Sequence, residues 1–600
     1  MCGITASITQ DDTSLISVIA ALNKLQNRGY DSAGICLIKN NVLITQKFIS
    51  KPGQNAMEFM NAHPIRDMKC NLSVGHTRWA THGARTLENT HPHTDDEGRF
   101  AMVHNGIIEN YLELRQALIK DGYSFYGQTD TEIVVKYLSY LAKNNRDYSE
   151  LSTIIKGSWA ILFVDIMTPD KIYFMKNSSP LIFGYNSTKS KMMFVSELIG
   201  FDSDIETYHV LRDKDYGYVS LDEFQSTTPY QSIEVGRAIA EDLMYPYKHW
   251  TLKEINDQPK SISNLIFSRV SADHHIYFPE LDAIKDELSK VQHLIFLACG
   301  TSYHAAQIGA KFFKEFRSEA TVEVIDGADF DESDIPPKKK SLLVLLSQSG
   351  ETRDLYGALV LGTKHKLLTI GIINVENSLI AREVDVCLYL KAGREYAVAS
   401  TKSFTNQVLM MLLLAIWMNP SPNLNVYLDA IDTLPTEFER MIRLSEEHIP
   451  PIMEFFEKQN DCFILGRQIS EWVAKEGSLK IKEISYIHSE GYSTASLKHG
   501  PFALIVNHIP IILLAHNDKF YPKVENAIAE VKSRESKVIL ITNKIPATTD
   551  IDHVIYFETN SILFPLLCIV PLQLLAYHLS LQRGNHPDYP RNLAKVVTVE

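Results

Sequence analysis

The distribution of apolar and polar positions changes character near residue 285. From there on, short apolar runs that predict buried strands alternate with longer segments that predict helices, with a turn between them. The pattern also repeats, because four segments match four later ones whose first positions lie 167 to 171 residues further along the chain. The matched pairs are 294–298 with 462–465, 342–346 with 510–514, 367–370 with 538–541, and 384–385 with 551–552. This repeat predicts two copies of a doubly wound parallel α/β domain.

The first 235 residues follow a different pattern, in which short β-like runs such as 158–164 and 191–195 are mixed with short helical segments. This mixture predicts an α+β domain built from layered sheets. The stretch 236–284 is too rich in helix-forming residues for a flexible linker. The predicted organisation is an α+β domain at 1–235, a connector at 236–284, α/β domains at 285–425 and 453–590, a helical bridge between them at 426–452, and a tail at 591–600.

Composition argues against several classes of protein. The 600 residues carry a net charge of −13 and contain no long basic run, so nucleic acid is not expected as a partner. The most apolar stretch, 562–579, contains two prolines and a glutamine and is expected to be a buried helix, not a membrane span. Polar Asp11 and Asp12 argue against a signal peptide. The seven cysteines show no Cys-x-x-Cys spacing, which favours reduced thiols in a cytoplasmic protein over disulfides or structural zinc.

Cys2 directly follows the initiator methionine and is the first candidate for chemistry. Its small side chain permits removal of Met1, which would place a free α-amine beside the thiol. Such an amine has an ordinary pKa of about 7.7 to 8.0 and can accept the thiol proton, so that one residue supplies both base and nucleophile. This chemistry is typical of N-terminal-nucleophile amidases, although the dipeptide alone is equally compatible with an ordinary terminal cysteine.

Four motifs follow Cys2, namely 28–32 (Arg-Gly-Tyr-Asp-Ser), 75–83 (Gly-His-Thr-Arg-Trp-Ala-Thr-His-Gly), 104–106 (His-Asn-Gly) and 129–132 (Thr-Asp-Thr-Glu). Arg78 suits the α-carboxylate of glutamine and Asp130 its α-amine, while the Asn105 amide and the Gly106 N–H suit an oxyanion. Taken singly, each motif has an ordinary alternative, such as a surface ion pair or a turn. In this order after Cys2, they resemble the class II glutamine amidotransferase domain.

That resemblance implies a layered αββα fold of the N-terminal-nucleophile type that hydrolyses L-glutamine. It implies Cys2 as the nucleophile and Asn105 with Gly106 as the oxyanion site. The glutamine-binding residues that it implies are Arg28, Arg78, Trp79, Thr81, His82 and Asp130. The five histidines from His76 to His104 have no cysteine or carboxylate at ligand spacing. They are expected to pack and to form hydrogen bonds around the site, and no metal is expected.

The buried run 342–346 leads directly into 347–352 (Ser-Gln-Ser-Gly-Glu-Thr), and a similar turn at 299–303 (Cys-Gly-Thr-Ser-Tyr) follows an earlier run. Backbone N–H groups and hydroxyls at a helix start form an anion site, although serine and threonine also cap helices that bind nothing. The tandem arrangement resembles SIS (sugar isomerase) domains, which implies a sugar-phosphate site. The second repeat reads Ala-His-Asn-Asp at 515–518, so one phosphate site per chain is expected, in the first repeat.

Three further segments carry candidate chemistry, namely 480–485 (Lys-Ile-Lys-Glu-Ile-Ser), 497–501 (Leu-Lys-His-Gly-Pro) and the C-terminal 590–600. With the other motifs they resemble the isomerizing aminotransferases that use glutamine, and this resemblance covers nearly the whole chain. It implies that His499 opens a sugar ring, that Lys595 forms a Schiff base with the ketone, and that Glu483 moves a proton from C1 to C2. The sugar-phosphate-binding residues that it implies are Thr301, Ser302, Ser347, Gln348, Ser349, Thr352, Val398 and Lys480.

The implied reaction converts D-fructose 6-phosphate and L-glutamine to D-glucosamine 6-phosphate and L-glutamate, the first step of hexosamine biosynthesis, without a cofactor. The family implies a homodimer in which His499 reaches the neighbouring chain's sugar site. An asparagine synthetase would carry a Ser-Gly-Gly-x-Asp-Ser ATP loop and a phosphoribosyl amidotransferase an acidic phosphoribosyl loop, and the sequence has neither. A non-catalytic sugar-phosphate sensor would have lost Glu483, His499 or Lys595, and deglycases with similar SIS domains tend to lack Cys2.

The chain departs from the usual family pattern at two places. Tyr396 and Ala397 stand where isoleucine and glycine are usual, and the turn at 466–469 lacks the glycine that is common at its third position. Neither departure falls on a residue with an implied chemical step. The first domain also lacks the long insertion typical of animal and fungal relatives, so feedback by a nucleotide sugar is not expected.

Overall fold

The computed structural model of this chain describes residues 2–51, 54–80, 83–235, 243–271, 273–316, 320–419, 424–560 and 562–597. The chain divides into two compact units, Met1–Glu241 with Ala594–Glu600, and Asp242–Leu593. Residues 236–242 of the predicted connector lie outside the described residues. The rest of that connector belongs to the second unit, where it contributes two helices, as its composition predicts.

The first unit consists of two sheets and the helices that cover them. Its strands are β1 (Gly3–Thr9), β2 (Ser32–Lys39), β3 (Val42–Ile49), β4 (Leu72–Arg78), β5 (His93–Thr94), β6 (Phe100–Ile108), β7 (Gly157–Asp165), β8 (Ile172–Asn177), β9 (Ile182–Tyr185), β10 (Lys191–Val195), β11 (Thr207–Val210), β12 (Asp215–Val219), β13 (Phe224–Ser226) and β14 (Ile233–Glu234). Its helices are α1 (Ser14–Leu25), α2 (Ala56–Ala62), α3 (Tyr111–Lys120), α4 (Asp130–Lys143) and α5 (Leu151–Ile154).

The two sheets stack face to face and confirm the predicted αββα layers. One antiparallel sheet has the strand order β14-β11-β9-β10-β1-β4-β2-β3, and the other has β13-β12-β8-β7-β6-β5. Because side chains alternate along a strand, Ile4, Ala6 and Ile8 of β1 enter the core between the sheets, where Val103 and Leu162 meet them. Helices α1 and α2 cover the outer face of the first sheet, and α3 and α4 cover that of the second.

The second unit contains two parallel sheets flanked by helices. Its strands are β15 (His293–Ala298), β16 (Thr321–Asp326), β17 (Ser341–Ser347), β18 (Leu368–Ile373), β19 (Val386–Tyr389), β20 (Asp461–Gly466), β21 (His488–Ser493), β22 (Pro510–Ala515), β23 (Lys537–Thr542) and β24 (His553–Tyr556). Its helices are α6 (Trp250–Asn256), α7 (Gln258–Arg269), α8 (Lys285–Leu288), α9 (Gly300–Phe316), α10 (Arg353–Lys364), α11 (Leu379–Glu383), α12 (Lys402–Met418), α13 (Leu424–Ile452), α14 (Ile469–Ser485), α15 (Tyr521–Lys532), α16 (Phe564–Leu567) and α17 (Ile569–Gln582).

The two parallel sheets have the same topology, which confirms the repeat. Their strand orders are β16-β15-β17-β18-β19 and β21-β20-β22-β23-β24. The sequence pattern predicts four of the five strands in each repeat and misses β16 and β21. Both are edge strands with mostly half-exposed side chains, so neither carries the continuous apolar run that marks a central parallel strand.

One hydrophobic core runs through both repeats of the second unit and contains the apolar faces of α9, α12, α14 and α17. Within the described residues, the stretch Phe564–Gln582 has the length and mean hydropathy (1.7) of a membrane span, yet 89% of its apolar window is buried inside the protein. The predicted buried helix is therefore confirmed.

Candidate active site

Cys2 immediately precedes β1 in the first unit, and its side chain is half-buried. The Trp79 N–H donates to the Cys2 Sγ at 3.3 Å, and the Cys2 carbonyl accepts from the Asn105 Nδ2 at 2.8 Å and the Arg28 Nε at 3.4 Å. Burial raises the pKa of the Cys2 thiol, an effect that the hydrogen bond from Trp79 opposes. The thiol therefore depends on a base for activation, which is the role predicted for its own α-amine.

Asn105 and Gly106 lie next to each other in β6, and Asn105 is fully buried. The His76 Nε2 lies 3.1 Å from the Asn105 Oδ1, which orients the amide so that its N–H₂ group faces Cys2. Gly106 has a φ of +115°, and an added Cβ would lie 2.0 Å from the Ser158 carbonyl oxygen, so the position requires glycine. The positioning role of His76 was not predicted, although it belongs to the motif at 75–83.

Arg78 ends β4 and Asp130 begins α4, and their exposed fractions are only 3% and 5%. The Arg78 guanidinium donates to the carbonyls of Gly83 at 3.4 Å and Ala84 at 3.5 Å, which are long and readily exchanged contacts. Burial lowers the pKa of Arg78, while neighbouring carboxylates oppose that change. The Asp130 Oδ2 accepts the Ile108 N–H at 2.9 Å. The unit thus holds a buried cation and a buried carboxylate of the kind that a zwitterionic amino acid needs.

Two of the predicted glutamine-binding residues, Thr81 and His82, lie outside the described residues. Sequence reasoning also missed Asp31, although it stands in the motif at 28–32. The Asp31 Oδ2 accepts the Ala80 N–H at 2.8 Å, and its Oδ1 pairs with Arg85 at 3.0 Å. Asp31 therefore fixes the chain that follows Arg78.

A buried histidine layer, formed by His76, His91 and His93, lies behind Asn105. The rings of His76 and His91 are stacked at 4.0 Å, and His93 meets His91 edge-on at 4.9 Å. The His93 Nε2 lies 3.0 Å from the Thr129 Oγ1. Burial lowers the pKa of His76 to about 3 and lowers those of His91 and His93 well below their ordinary value. The described residues contain no group of side chains that could hold a metal ion.

In the second unit, β15 and β17 are neighbours in the first parallel sheet. The chain leads from β15 to β16 on one side of this pair and from β17 to β18 on the other side, so the carboxyl ends of β15 and β17 form a topological switch point. The predicted anion turn 347–352 follows β17 there. The Ser347 Oγ accepts the Gly350 N–H at 2.9 Å and lies 3.1 Å from the Thr352 Oγ1, and the Ser349 Oγ accepts the Glu351 N–H at 3.1 Å. The hydroxyls therefore shape the turn through hydrogen bonds to its own backbone and side chains.

The turn at the end of β15 meets α14 through a polar cluster. The Lys480 Nζ donates to the Thr301 Oγ1 at 3.0 Å and pairs with Glu483 at 2.6 Å and Glu476 at 3.4 Å. Burial alone would lower the pKa of Lys480, but Glu476 and Glu483 outweigh it and raise that pKa. Glu476 was not predicted, although it lies on the same helical face as Lys480 and Glu483. Ser302, on α9, accepts from the Gln407 Nε2 at 2.9 Å.

The corresponding turn of the second repeat, at 515–518 after β22, is built from other side chains than the predicted anion turn of the first repeat. The His516 ring stacks on Phe564 at 4.8 Å, and the Asn517 N–H donates to the Asn543 Oδ1 at 2.8 Å. Side chains of this chain therefore occupy the turn that in the first repeat is lined by hydroxyls.

Val398 lies in a segment that is tied to the end of the second unit. Its N–H donates to the Asp588 carbonyl at 3.1 Å, and the Asp588 carboxylate accepts the backbone N–H groups of Trp250 at 2.9 Å and Thr251 at 2.7 Å. The Tyr396 ring stacks on Trp250 with centroids 4.0 Å apart and planes 17° apart. The departure at Tyr396 therefore adds an aromatic contact to the segment that contains Val398.

His499 belongs to the second unit and Lys595 to the first. His499 ends a short 3₁₀ turn, Ser496–His499, on the second repeat, and its side chain is exposed. Lys595 belongs to the first unit, where its backbone N–H donates to the Asn27 carbonyl at 3.3 Å. Gln348, on the anion turn, accepts the Val375 N–H at its carbonyl at 3.3 Å.

Comparison with known proteins finds a known domain family in each unit. The glutamine amidotransferase domain family matches residues 76–203, and the SIS domain family matches 287–417 and 455–583. The chain is 55% identical to a probable glutamine–fructose-6-phosphate aminotransferase (isomerizing) of Acanthamoeba polyphaga mimivirus and 35% identical to the Aquifex aeolicus enzyme of that name, each over 100% of both chains. The solved C-terminal domain of glucosamine-fructose-6-phosphate aminotransferase from Francisella tularensis is 31% identical, covers 58% of this chain and 100% of its own, and has a TM-score of 0.54. The chain therefore belongs to the family of glutamine–fructose-6-phosphate aminotransferases (isomerizing).

Proposed function

We propose that this chain transfers the amide nitrogen of L-glutamine to D-fructose 6-phosphate and isomerises the product to D-glucosamine 6-phosphate, with L-glutamate as the second product. The observation that carries this proposal is the pairing of two kinds of site in one chain. The first unit holds Cys2 against Asn105 near a buried arginine and aspartate. The second holds a hydroxyl-lined turn after β17 and, at the end of the neighbouring strand β15, a contact of Thr301 with Lys480, which is paired with Glu483.

In the first half-reaction, the Cys2 thiolate attacks the glutamine amide carbon. Once Met1 has been removed, the α-amine of Cys2 accepts the thiol proton and passes it to the departing ammonia. The Asn105 amide and the Gly106 N–H stabilise the oxyanion, while Arg78 holds the α-carboxylate and Asp130 the α-amine. Water then hydrolyses the thioester to glutamate and frees Cys2. Arg28, Trp79, Thr81 and His82 complete the proposed glutamine pocket.

In the second half-reaction, the sugar phosphate binds at Ser347, Gln348, Ser349 and Thr352, with Thr301, Ser302 and Val398 beside them. His499 opens the ring, and the C2 ketone condenses with the Lys595 amine, releasing water. Ammonia then displaces the lysine, so that the nitrogen is bonded to C2. Glu483 moves a proton from C1 to C2 while the proton of the C1 hydroxyl passes to the nitrogen, so that C1 becomes the aldehyde carbon and C2 carries the amine. Lys480 holds the Glu483 carboxylate in place.

The proposal includes a homodimer and a protected route for ammonia. Ammonia in neutral water is mostly protonated and then lacks the lone pair that attacks a carbonyl, so the reaction needs a closed path, with Trp79 as its proposed gate. His499 would enter the neighbouring chain's sugar site. The cysteines at all seven positions are free thiols, which supports a reducing, cytoplasmic location.

The decisive experiment separates the two half-reactions. Cys2→Ala should abolish glutamine hydrolysis and glutamine-dependent synthesis, yet leave fructose 6-phosphate isomerisation unchanged. Cys70→Ala, which removes another thiol of the same unit, serves as the control and should retain every activity. Mass spectrometry of the purified N-terminus should show Cys2 as the first residue. Equal loss of hydrolysis and isomerisation in Cys2→Ala would contradict the two-site scheme.

A further inference from the structure

A cavity of about 590 Å³ opens at the side of the first unit, between the two sheets. It lies where the edge strand of each sheet faces the other, β3 in one and β5 in the other. The residues that matter for its chemistry are Leu43, Thr45, Lys47, Thr94, Glu97 and Ile166. None of the described residues proposed to bind glutamine is among those that line it.

Three of these residues share one face of β3, because Leu43, Thr45 and Lys47 are spaced by two. Leu43 packs against the core between the sheets, so this face points inward. Lys47 on β3 is paired with Gly34 on β2. A Cβ added at Gly34 would lie 2.1 Å from the His91 carbonyl oxygen. The missing side chain at Gly34 therefore lets the second sheet approach closely beside Lys47.

The Lys47 ammonium is an incompletely solvated cation. Within the described part of the chain, it has neither an ion pair nor a hydrogen bond. Burial lowers the pKa of Lys47 to about 8, although Glu132 and Glu88 act in the opposite direction from a distance. Glu132 is already engaged by Lys136 at 3.3 Å and by the Gly127 N–H at 2.7 Å. A half-buried cation in this condition is stabilised by an anion that enters the cavity.

A second polar group on the same face is also unsatisfied. The Thr45 Oγ1 is buried and has no hydrogen-bond partner among the described residues. Its cross-strand neighbour is Cys36, whose thiol is a weak donor and acceptor. The acid at the rim, Glu97, pairs with Lys143 at 2.7 Å, so its charge is compensated outside the cavity. The apolar surface of the cavity comes from Ile166 and from Leu43, which shares the inward face of β3 with the polar groups.

We propose that this cavity binds a small organic carboxylate. Its oxygens would accept from the Lys47 Nζ and the Thr45 Oγ1, and its aliphatic part would lie against Leu43 and Ile166. This combination of one cation, one hydroxyl and an apolar wall matches an acid of a few carbons better than an inorganic anion, which has no apolar part.

Butyrate is a suitable probe, and butyramide is its neutral isostere. Ligand-observed NMR on the full chain should show saturable butyrate binding and none of butyramide. Lys47→Gln should weaken butyrate binding at least 10-fold, whereas Lys39→Gln, the same change at an exposed position of β2, should not alter it. Arg78→Gln should also retain binding, which separates this site from the proposed glutamine carboxylate site.

Two measurements keep the result interpretable. Retained glutamine hydrolysis in Lys47→Gln shows that the unit is folded, and Thr45→Val, which preserves shape, should weaken butyrate binding several-fold without removing the lysine. The proposal is overturned if Lys47→Gln binds butyrate as the wild type does, if butyramide binds equally well, or if the wild type shows no binding at ~10 mM butyrate. Loss of binding in Arg78→Gln alone would assign the butyrate to the glutamine site instead.

Discussion

Asp31 and His76 act on the proposed glutamine site through their neighbours. Asp31 fixes the backbone at Ala80 by a hydrogen bond of 2.8 Å, and His76 orients the Asn105 amide at 3.1 Å. Both are buried, so each hydrogen bond carries a large cost if one partner is removed. The hydrogen bond from His76 therefore holds the proposed oxyanion donor Asn105 in place before glutamine binds.

Tyr396, one of the residues predicted to depart from the family pattern, makes an aromatic contact with Trp250. Its ring stacks on Trp250, and its N–H contacts Glu254, so two residues of α6 hold the segment leading to Val398. Tyr396→Ile removes the ring stack, a contact worth about 0.5 to 1.5 kcal/mol. We expect the KM for fructose 6-phosphate to rise about 2- to 10-fold, with unchanged glutamine hydrolysis, in steady-state assays of both half-reactions.

Tyr556→Ile provides the matched control for this prediction. Tyr556 lies on β24, and its exposed fraction is 38%. It should leave the KM unaltered. A normal KM in Tyr396→Ile, or the same rise in both variants, would show that the stack does not position the sugar segment.

Among the structural elements, the histidine layer makes the first unit sensitive to acid. His76, His91 and His93 have lowered pKa values in the folded state, whereas an unfolded chain takes up their protons near pH 6.5. The unfolded state therefore binds more protons below pH 6.5, and stability is lost as the pH falls from there toward about 3, where His76 titrates. Each such histidine contributes a slope of about 1.4 kcal/mol per pH unit.

Urea unfolding at pH 7 and pH 5 measures this dependence. His93→Gln keeps a group that can bond to Thr129 but removes the titration, so we expect its stability to fall less steeply with acid, by about 1.4 kcal/mol per pH unit. His275→Gln, at a side chain that is 79% exposed, should keep the wild-type slope. If His93→Gln and the wild type lost stability in parallel, His93 would not be a neutral buried group.

The hydrophobic patterns of individual strands explain which parts of the fold could be predicted from the sequence. The apolar runs of β15, β17 and β18, and the turn that follows β17, could be predicted from local sequence, because central parallel strands are buried on both faces. The contacts of His76 with Asn105, and of Lys480 with Thr301, join residues 29 and 179 positions apart. No local pattern encodes such pairs, since they depend on which elements become neighbours. The edge strands β16 and β21 were not predicted because their local sequence contains as many polar residues as a loop would.

For the whole molecule, the proposed reaction divides its residues among two units and two copies of the chain. His499 is exposed on the second repeat, and Leu504 and Val506, which follow it closely, have exposed fractions of 60% and 58%. Apolar side chains exposed beside a proposed catalytic histidine fit a surface that a second copy covers. A two-fold interface would then give each chain's histidine to the partner's sugar site and receive one in return.

Mixing inactive variants tests this arrangement directly. His499→Ala and Lys595→Ala homodimers should both lack synthase activity. A heterodimer of the two has one site that combines an intact Lys595 from one copy with an intact His499 from the other. Random assembly from co-expressed chains should therefore restore about one quarter of wild-type activity, measured as glucosamine 6-phosphate formed per chain. Glu483→Gln mixed with Lys595→Ala should restore none, because both residues are proposed to act in the site of their own chain. If His499 acted within its own chain, the first mixture would stay as inactive as the second, since every site in it would lack either the histidine or the lysine.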